Sequence, residues 1–245
     1  QVLRREFLAD VSHELKTPIF AAQGFLHTVL DGDVDDEVLR QKFLKKAATS
    51  LDALDTLVQD LVTIAQLEKG VVRLRKQPFD LAELVQEIFE QLELKAAQRR
   101  VLLELFPPFL LTSGVRVMAD RNRIRQVLVN LIDNAIKYGR EDGKVIVTLT
   151  EGNKMVAVSV HDDGEGIAKQ HQNRIFERFY RIDKSRSRDS GGSGLGLAIS
   201  KHIVEAHKST IRVRSEVGQG TTLEFKLAKP KNVVMEVAPA AIIQQ

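Results

Sequence analysis

Between residues 44 and 65 the apolar residues Leu44, Ala47, Leu51, Leu54, Val58, Leu61 and Ala65 recur at spacings that alternate between three and four. This is the seam of a helix made to lie along other helices, and it commits the stretch to a helical assembly. Upstream, Phe7, Val11, Leu15, Ala22, Leu26 and Val29 keep a helical period over residues 1–30. Between them, "DGDVDD" (31–36) reads as a turn followed by acids suited to the positive end of a helix dipole. Two long helices and a short turn predict an antiparallel hairpin. A single hairpin buries little, so its stripe needs a partner. A second copy, giving a dimeric four-helix bundle, is the simplest solution. The other is a contact with the second half of the same chain.

The period changes after "EKGVVRLRKQP" (68–78), where Gly70 and Pro78 interrupt the heptads. The expected organisation is a hairpin domain at 1–69, a linker at 70–79, a second domain at 80–230 and a tail at 231–245 without clear period. Asp80 is placed to cap a helix over 80–98. "RVLLELF" (100–106) and "VRVMAD" (115–120) read as strands. Asp120 can cap a helix to Tyr138, which Gly139 would end. "KVIVTLT" and "MVAVSVHD" alternate around "EGNK" as a hairpin, and "TIRVRSE" pairs with "TTLEFKLA" after a helix from about Gly194 to His207. Helices plus a largely antiparallel sheet predict a two-layer α/β sandwich.

Composition bounds the function classes. The chain has 245 residues, 28% of them charged, and a net charge of +3, too balanced to imply nucleic-acid binding without a motif. It has no cysteine, which excludes disulfides and thiolate metal sites. No apolar run is long enough to span a bilayer. The chain opens on Gln1 rather than Met, which leaves room for a membrane anchor upstream.

Four stretches of the second domain carry candidate chemistry. In "QVLVNLIDNAIKYG" (126–139), Asn130 and Asn134 share a helix face, with Lys137 and Tyr138 one turn on. Carboxamide oxygens can ligate Mg²⁺, lysine can neutralise a phosphate and tyrosine can lie against a base. A helix-capping network would use the same asparagines. In "HDDGEGI" (161–167), Asp162 with Gly164 and Gly166 lets backbone approach a ligand while a carboxylate accepts from an exocyclic amine; an ordinary glycine-rich turn has the same letters. His161 reads as a solvent or edge histidine. "GGSGLGLAISKHIVEAH" (191–207) opens a helix after glycines, a setting for phosphate, but it lacks the lysine–serine pair of a P-loop. Between them, "RIFERFYRIDKSRSRDSGG" (174–192) has Phe176, Phe179 and Tyr180 as anchors. Arg178, Arg181, Lys184, Arg186 and Arg188 make the rest basic, a mobile lid over an anionic ligand or a disordered basic loop.

In this order, and preceded by "FLADVSHELKTPI" (7–19), these stretches resemble the H, N, G1, F and G2 boxes of sensor histidine kinases over nearly the whole chain. The resemblance implies a dimeric helical hairpin carrying the phosphoacceptor, followed by the Bergerat-type sandwich shared with the GHKL ATPases. It implies ATP and Mg²⁺, with Asn130 and Asn134 holding the metal, Lys137 contacting phosphates and Tyr138 the base. Asp162 would read the adenine amino group beside Gly164 and Gly166. Arg178 and Arg181 would approach the phosphates, and the backbone around Gly192, Gly194, Leu195 and Gly196 would cradle them. The implied partners are a second copy and the receiver domain of a response regulator, and the implied setting is the cytoplasmic portion of a bacterial inner-membrane sensor. One departure is "HKS" (207–209), where the family often has His-Gly-Gly.

At about 100° per residue, His13 lies roughly 200° from Val11 and Leu15, so it points away from the seam. A core role is disfavoured, and Thr17 at i+4 is no second metal ligand. The expected role is nucleophilic attack by an imidazole nitrogen on the γ-phosphorus of ATP. Glu14 would act as general base at the other ring nitrogen. Thr17 matches the pattern of family members that position a water to dephosphorylate the regulator, and is equally an exposed helix residue. Pro18 leaves the Glu14 carbonyl without its helical donor and is expected to bend the helix beside the histidine. Two other functions fit parts of the chain. A GHKL-type ATPase would need a carboxylate where Asn130 stands, and an inactive docking scaffold would not need all of the nucleotide boxes.

Overall fold

The computed structural model describes residues 2–32, 36–68, 73–108, 110, 114–183 and 192–231. Helix α1 (Val2–Leu30) and helix α2 (Glu37–Glu68) form the antiparallel hairpin. Small buried residues, Ala22 on α1 and Ala47 on α2, let the helices approach closely, and Phe25 stacks on Phe43 at 5.8 Å. Helix α1 runs on through Pro18. On α2 the anticipated seam is divided, with Ala47 buried and Leu61 packed against the core cluster. Leu44, Leu51 and Val58 are exposed, whereas Leu57 and Ile64 are buried and belong to the same apolar cluster as the core of the second domain.

The segment read as linker contains strand β1 (Gln77–Asp80), which pairs antiparallel with β3 (Arg116–Ala119) in a two-stranded ladder. Asp80 closes this ladder and starts helix α3 (Leu81–Gln98), accepting from the backbone amides of Ala82, Glu83 and Val115. Asp120 does the same for helix α4 (Arg121–Tyr138), accepting from Arg123 N–H.

The main sheet has five strands in the order β2-β4-β5-β7-β6, comprising β2 (Leu102–Phe106), β4 (Lys144–Glu151), β5 (Met155–Asp162), β6 (Arg212–Glu216) and β7 (Gly220–Ala228). Only the β2–β4 pair is parallel. Strict alternation aims Val145, Val147 and Leu149, Val156, Val158 and Val160, and Leu223, Phe225 and Leu227 at one face. Helices α3, α4 and α6 (Gly196–Ala206) cover that face, giving two layers. A short helix α5 (Lys169–Gln172) and a 3₁₀ turn (Arg174–Phe176), absent from the sequence reading, lead from β5 into the "FERFYR" stretch. His161 sits on a central strand, not an edge, and its Nδ1 is 2.9 Å from Thr222 Oγ1 on β7.

Candidate nucleotide and phosphoacceptor site

Helix α4 carries one buried face, Ile124, Val127, Leu128, Leu131, Ile132, Ala135 and Ile136. From the same helix, Asn130 reaches the start of α6 and Lys137 the Gly192 segment before it. Asn130 Nδ2 donates to Ser200 Oγ at 2.9 Å. Gly196 lies so close that a Cβ there would sit 2.2 Å from Asn130 Oδ1, and a Cβ on Gly192 would sit 3.0 Å from Lys137 Nζ. The Lys137 ammonium is also 5.0 Å from the centre of the Tyr138 ring, which is 55% exposed. Asn130 thus takes part in a side-chain network with α6. The amide nitrogen of Asn130 serves a network, and its oxygen faces Gly196.

Asp162, at the end of β5, is 8% exposed. Burial pushes its carboxyl above the ordinary aspartate range, opposed by hydrogen bonds from the Gly164 and Thr221 backbone. Gly164 and Gly166 are both required by close approach. A Cβ on Gly164 would meet the Tyr138 carbonyl at 2.2 Å, and one on Gly166 the Glu216 carbonyl at 2.1 Å. The G1 turn is thus wedged against the end of α4 and the β6–β7 turn. Asp163 secures it by accepting from the amides of Arg140 and Lys144.

The start of α6 differs from those of α3 and α4. It has no side-chain cap, and its N-cap position is the fully buried Leu195. Such a helix start, with its positive dipole end and with Asn130 and Lys137 nearby, can hold an anion such as phosphate. Among the described residues no three His, Asp or Glu side chains converge on a metal position. The donors that fit Mg²⁺ are the two amide oxygens of α4, completed by phosphate oxygens and water.

His13 is 74% exposed, as its helical phase predicts, and its Nδ1 is 3.9 Å from Glu14 Oε1. Thr17 Oγ1 donates to the His13 carbonyl at 3.3 Å. Arg178 and Arg181 contact the hairpin. Arg181 donates to Glu14 Oε2 at 2.6 Å, both side chains being mostly buried, and the Arg178 guanidinium is 5.3 Å from the Phe7 ring centre. Phe179 contacts Phe7 with ring centres 5.9 Å apart. On the far side of the lid, Ser193 Oγ donates to Asp60 of α2 at 3.1 Å. Lys184, Arg186 and Arg188 lie outside the described residues, as does the tail beyond residue 231.

Sequence reasoning missed Ser200, Ser193 and Asp60 beside these residues. Ser200 is one turn after Gly196 and was findable by spacing. Asp60 comes from a distant segment, and only the fold brings it in.

Comparison with known proteins places this arrangement. The family profile "His Kinase A (phospho-acceptor) domain" matches residues 3–70, and "Histidine kinase-, DNA gyrase B-, and HSP90-like ATPase" matches residues 119–231. The sensor histidine kinase WalK of Bacillus subtilis is 34% identical over 226 residues, covering 91% of this chain and 36% of WalK. The sensor protein SrrB of Staphylococcus aureus is 34% identical over 94% of this chain and 39% of SrrB. The chain thus spans under two fifths of the length of these relatives. Among solved structures, Acinetobacter baumannii histidine kinase AdeS superposes with a TM-score of 0.72 at 30% identity, over 89% of this chain and 98% of that one. Histidine kinase ThkA, solved in complex with response regulator protein TrrA, also gives 0.72 at 29% identity, over 92% of this chain and 61% of that one. With profile matches over both halves, and with AdeS matched over nearly its whole length at 30% identity, the chain belongs to the sensor histidine kinases, as a phosphoacceptor hairpin joined to an ATPase-type domain.

Proposed function

We propose that this chain is the catalytic portion of an ATP-dependent protein-histidine kinase that phosphorylates His13 and passes the phosphoryl group to an aspartate of a response regulator. The observation that carries the reading is the Glu14–Arg181 contact, which joins the acid beside His13 to the F box of the nucleotide domain. Asp162 accepts from the adenine amino group, Tyr138 lies along the base, and Lys137 with the backbone at Gly192, Gly194, Leu195 and Gly196 holds the phosphates. Mg²⁺, held by Asn130 and Asn134, would neutralise charge on the phosphates.

The chemistry of the chain's own residues starts at the imidazole. Glu14 lies on the Nδ1 side of the ring, so the Nδ1 proton is drawn toward its carboxylate and Nε2 carries the attacking lone pair. The Nε2–P bond forms as the bond from the γ-phosphorus to its bridging oxygen breaks, and ADP leaves with the electron pair. The 3.9 Å separation is longer than a hydrogen bond, so Glu14 must close on the ring when Arg181 releases it. Arg181 is then free to stabilise charge on the transferring group. Thr17, exposed one turn from His13, would orient water for hydrolysis of the phosphorylated regulator. The exposed stripe Leu44, Leu51 and Val58 is the proposed dimer face.

One assay separates kinase, ATPase and scaffold. With γ-labelled ATP and Mg²⁺, acid-labile label is expected on the wild type and none on His13→Ala. Rapid phosphate release without labelling would establish hydrolysis instead, and neither signal a docking scaffold.

A further inference from the structure

The last turn of α4 presents Lys137 and Tyr138, and three consecutive carbonyls beneath it are engaged from outside the helix. The Tyr138 carbonyl is pressed onto Gly164 of the G1 turn. The carbonyls of Lys137 and Gly139 both accept from one side chain, Arg99, through Nη1 and through Nη2 (3.1 Å) respectively. Arg99 follows α3, and its own backbone is held at both ends. Its amide donates to the Ala96 carbonyl, and its carbonyl accepts from Asp142 N–H at 3.2 Å. The neighbouring Arg100–Asp142 pair and the Leu102 N–H to Gly143 carbonyl bond tie the α3–β2 turn to the α4–β4 loop.

A single detail distinguishes this from routine helix capping. Arg99 Nε is shielded from solvent and, among the described residues, has no hydrogen-bond partner. Leaving a charged donor's N–H unsatisfied is costly. Lysine would avoid that cost and would still complement the negative end of the helix dipole. Only the planar guanidinium, however, spans two carbonyls two residues apart at fixed geometry.

We infer that Arg99 is a positioning residue for the nucleotide site: its fork pins the last turn of α4 against the G1 turn, so that Lys137 and Tyr138 are held toward the ligand. The inference rests on the ATP-binding reading above. Measurement therefore begins with Mg-ATP titrated into the unaltered protein; absence of binding there would overturn that reading and this one together. Given binding, Arg99→Ala is expected to raise the Kd and KM for ATP by about tenfold while kcat for His13 labelling changes less than about twofold. Arg99→Lys is expected to recover only part of the loss. In a Lys137→Ala, Tyr138→Ala background, Arg99→Ala should add less than about twofold, because the groups it positions are gone. An unchanged Kd, full recovery by lysine, or an undiminished tenfold loss in the double-variant background would each overturn the inference. Should Arg99→Ala fail to fold, Arg99→Lys carries the same test, with weakened binding expected and wild-type binding overturning it.

Discussion

Two residues, Glu14 and Arg181, hold the most informative contact in the molecule. Each has an expected duty elsewhere, one beside the imidazole and one at the phosphates, and here they occupy each other at 2.6 Å. The guanidinium engages one Glu14 oxygen while the other stands 3.9 Å from the His13 ring. In the proposed mechanism this contact keeps the base from the imidazole. Glu14→Gln keeps the size and a hydrogen-bonding oxygen but cannot take a proton. Its initial rate of His13 labelling is expected to fall on the order of 10²-fold, with the KM for ATP within about twofold of wild type. A parallel rise in KM would mean that Glu14 serves docking rather than proton transfer. At this scale the sequence was partly legible. His13's outward phase followed from period alone, whereas the partner of Glu14 lies 167 residues away and no local pattern points to it.

At the scale of elements, caps and alternation were readable because their causes are local. Asp80 and Asp120 start helices where their carboxylates meet free amides, and strands β4, β5 and β7 alternate because one face is dry. Strand β1 was not readable, because Pro78 argues against a strand; it survives because β1 pairs on one side only, with β3. The "HKS" departure also resolves here. Lys208 takes a left-handed backbone (φ 61°) where the family's glycine would sit, and the preceding His207 is buried as a strut. His207 Nδ1 donates to the Ile203 carbonyl (2.8 Å) and Nε2 accepts from Asp120 N–H (3.0 Å), so α6 props the start of α4 through a neutral ring. Burial, with Lys76 adding to it, pushes the His207 pKa below the usual histidine value, against the pull of the Ile203 carbonyl and Asp120. The folded protein thus binds fewer protons at this site than the unfolded chain. This contribution to stability is complete above about pH 6.5 and declines as pH falls toward the lowered folded value, by at most about 1.4 kcal/mol per pH unit. Urea unfolding of wild type and His207→Gln across that window is the check. The variant should be less stable at neutral pH and should lose this part of the acid dependence.

For the whole molecule, α2 has two apolar faces with different fates. One is closed by the nucleotide domain through Leu57 and Ile64. The other, with Leu51 50% and Val58 41% exposed, is left open. The heptad seam announced the open face, and the contact with the second half of the chain, initially an alternative to it, exists beside it. Leu51→Glu combined with Val58→Glu is expected to convert a dimer to a monomer in sedimentation equilibrium while ATP binding stays within about twofold, since neither residue is in the buried cluster with the nucleotide domain. A variant that remains dimeric would locate the association elsewhere, and a monomeric wild type would overturn the dimer.

Leu57 and Ile64 sit in the hairpin by chain order and in the nucleotide domain's core by packing. The joint where recombination would exchange modules, near residue 70, is therefore not the joint where the interior divides. A catalytic module grafted onto a foreign hairpin would inherit a socket shaped for these two side chains. Whether this domain can be exchanged onto another hairpin therefore depends on a pair of aliphatic residues that lie in none of the family's named boxes.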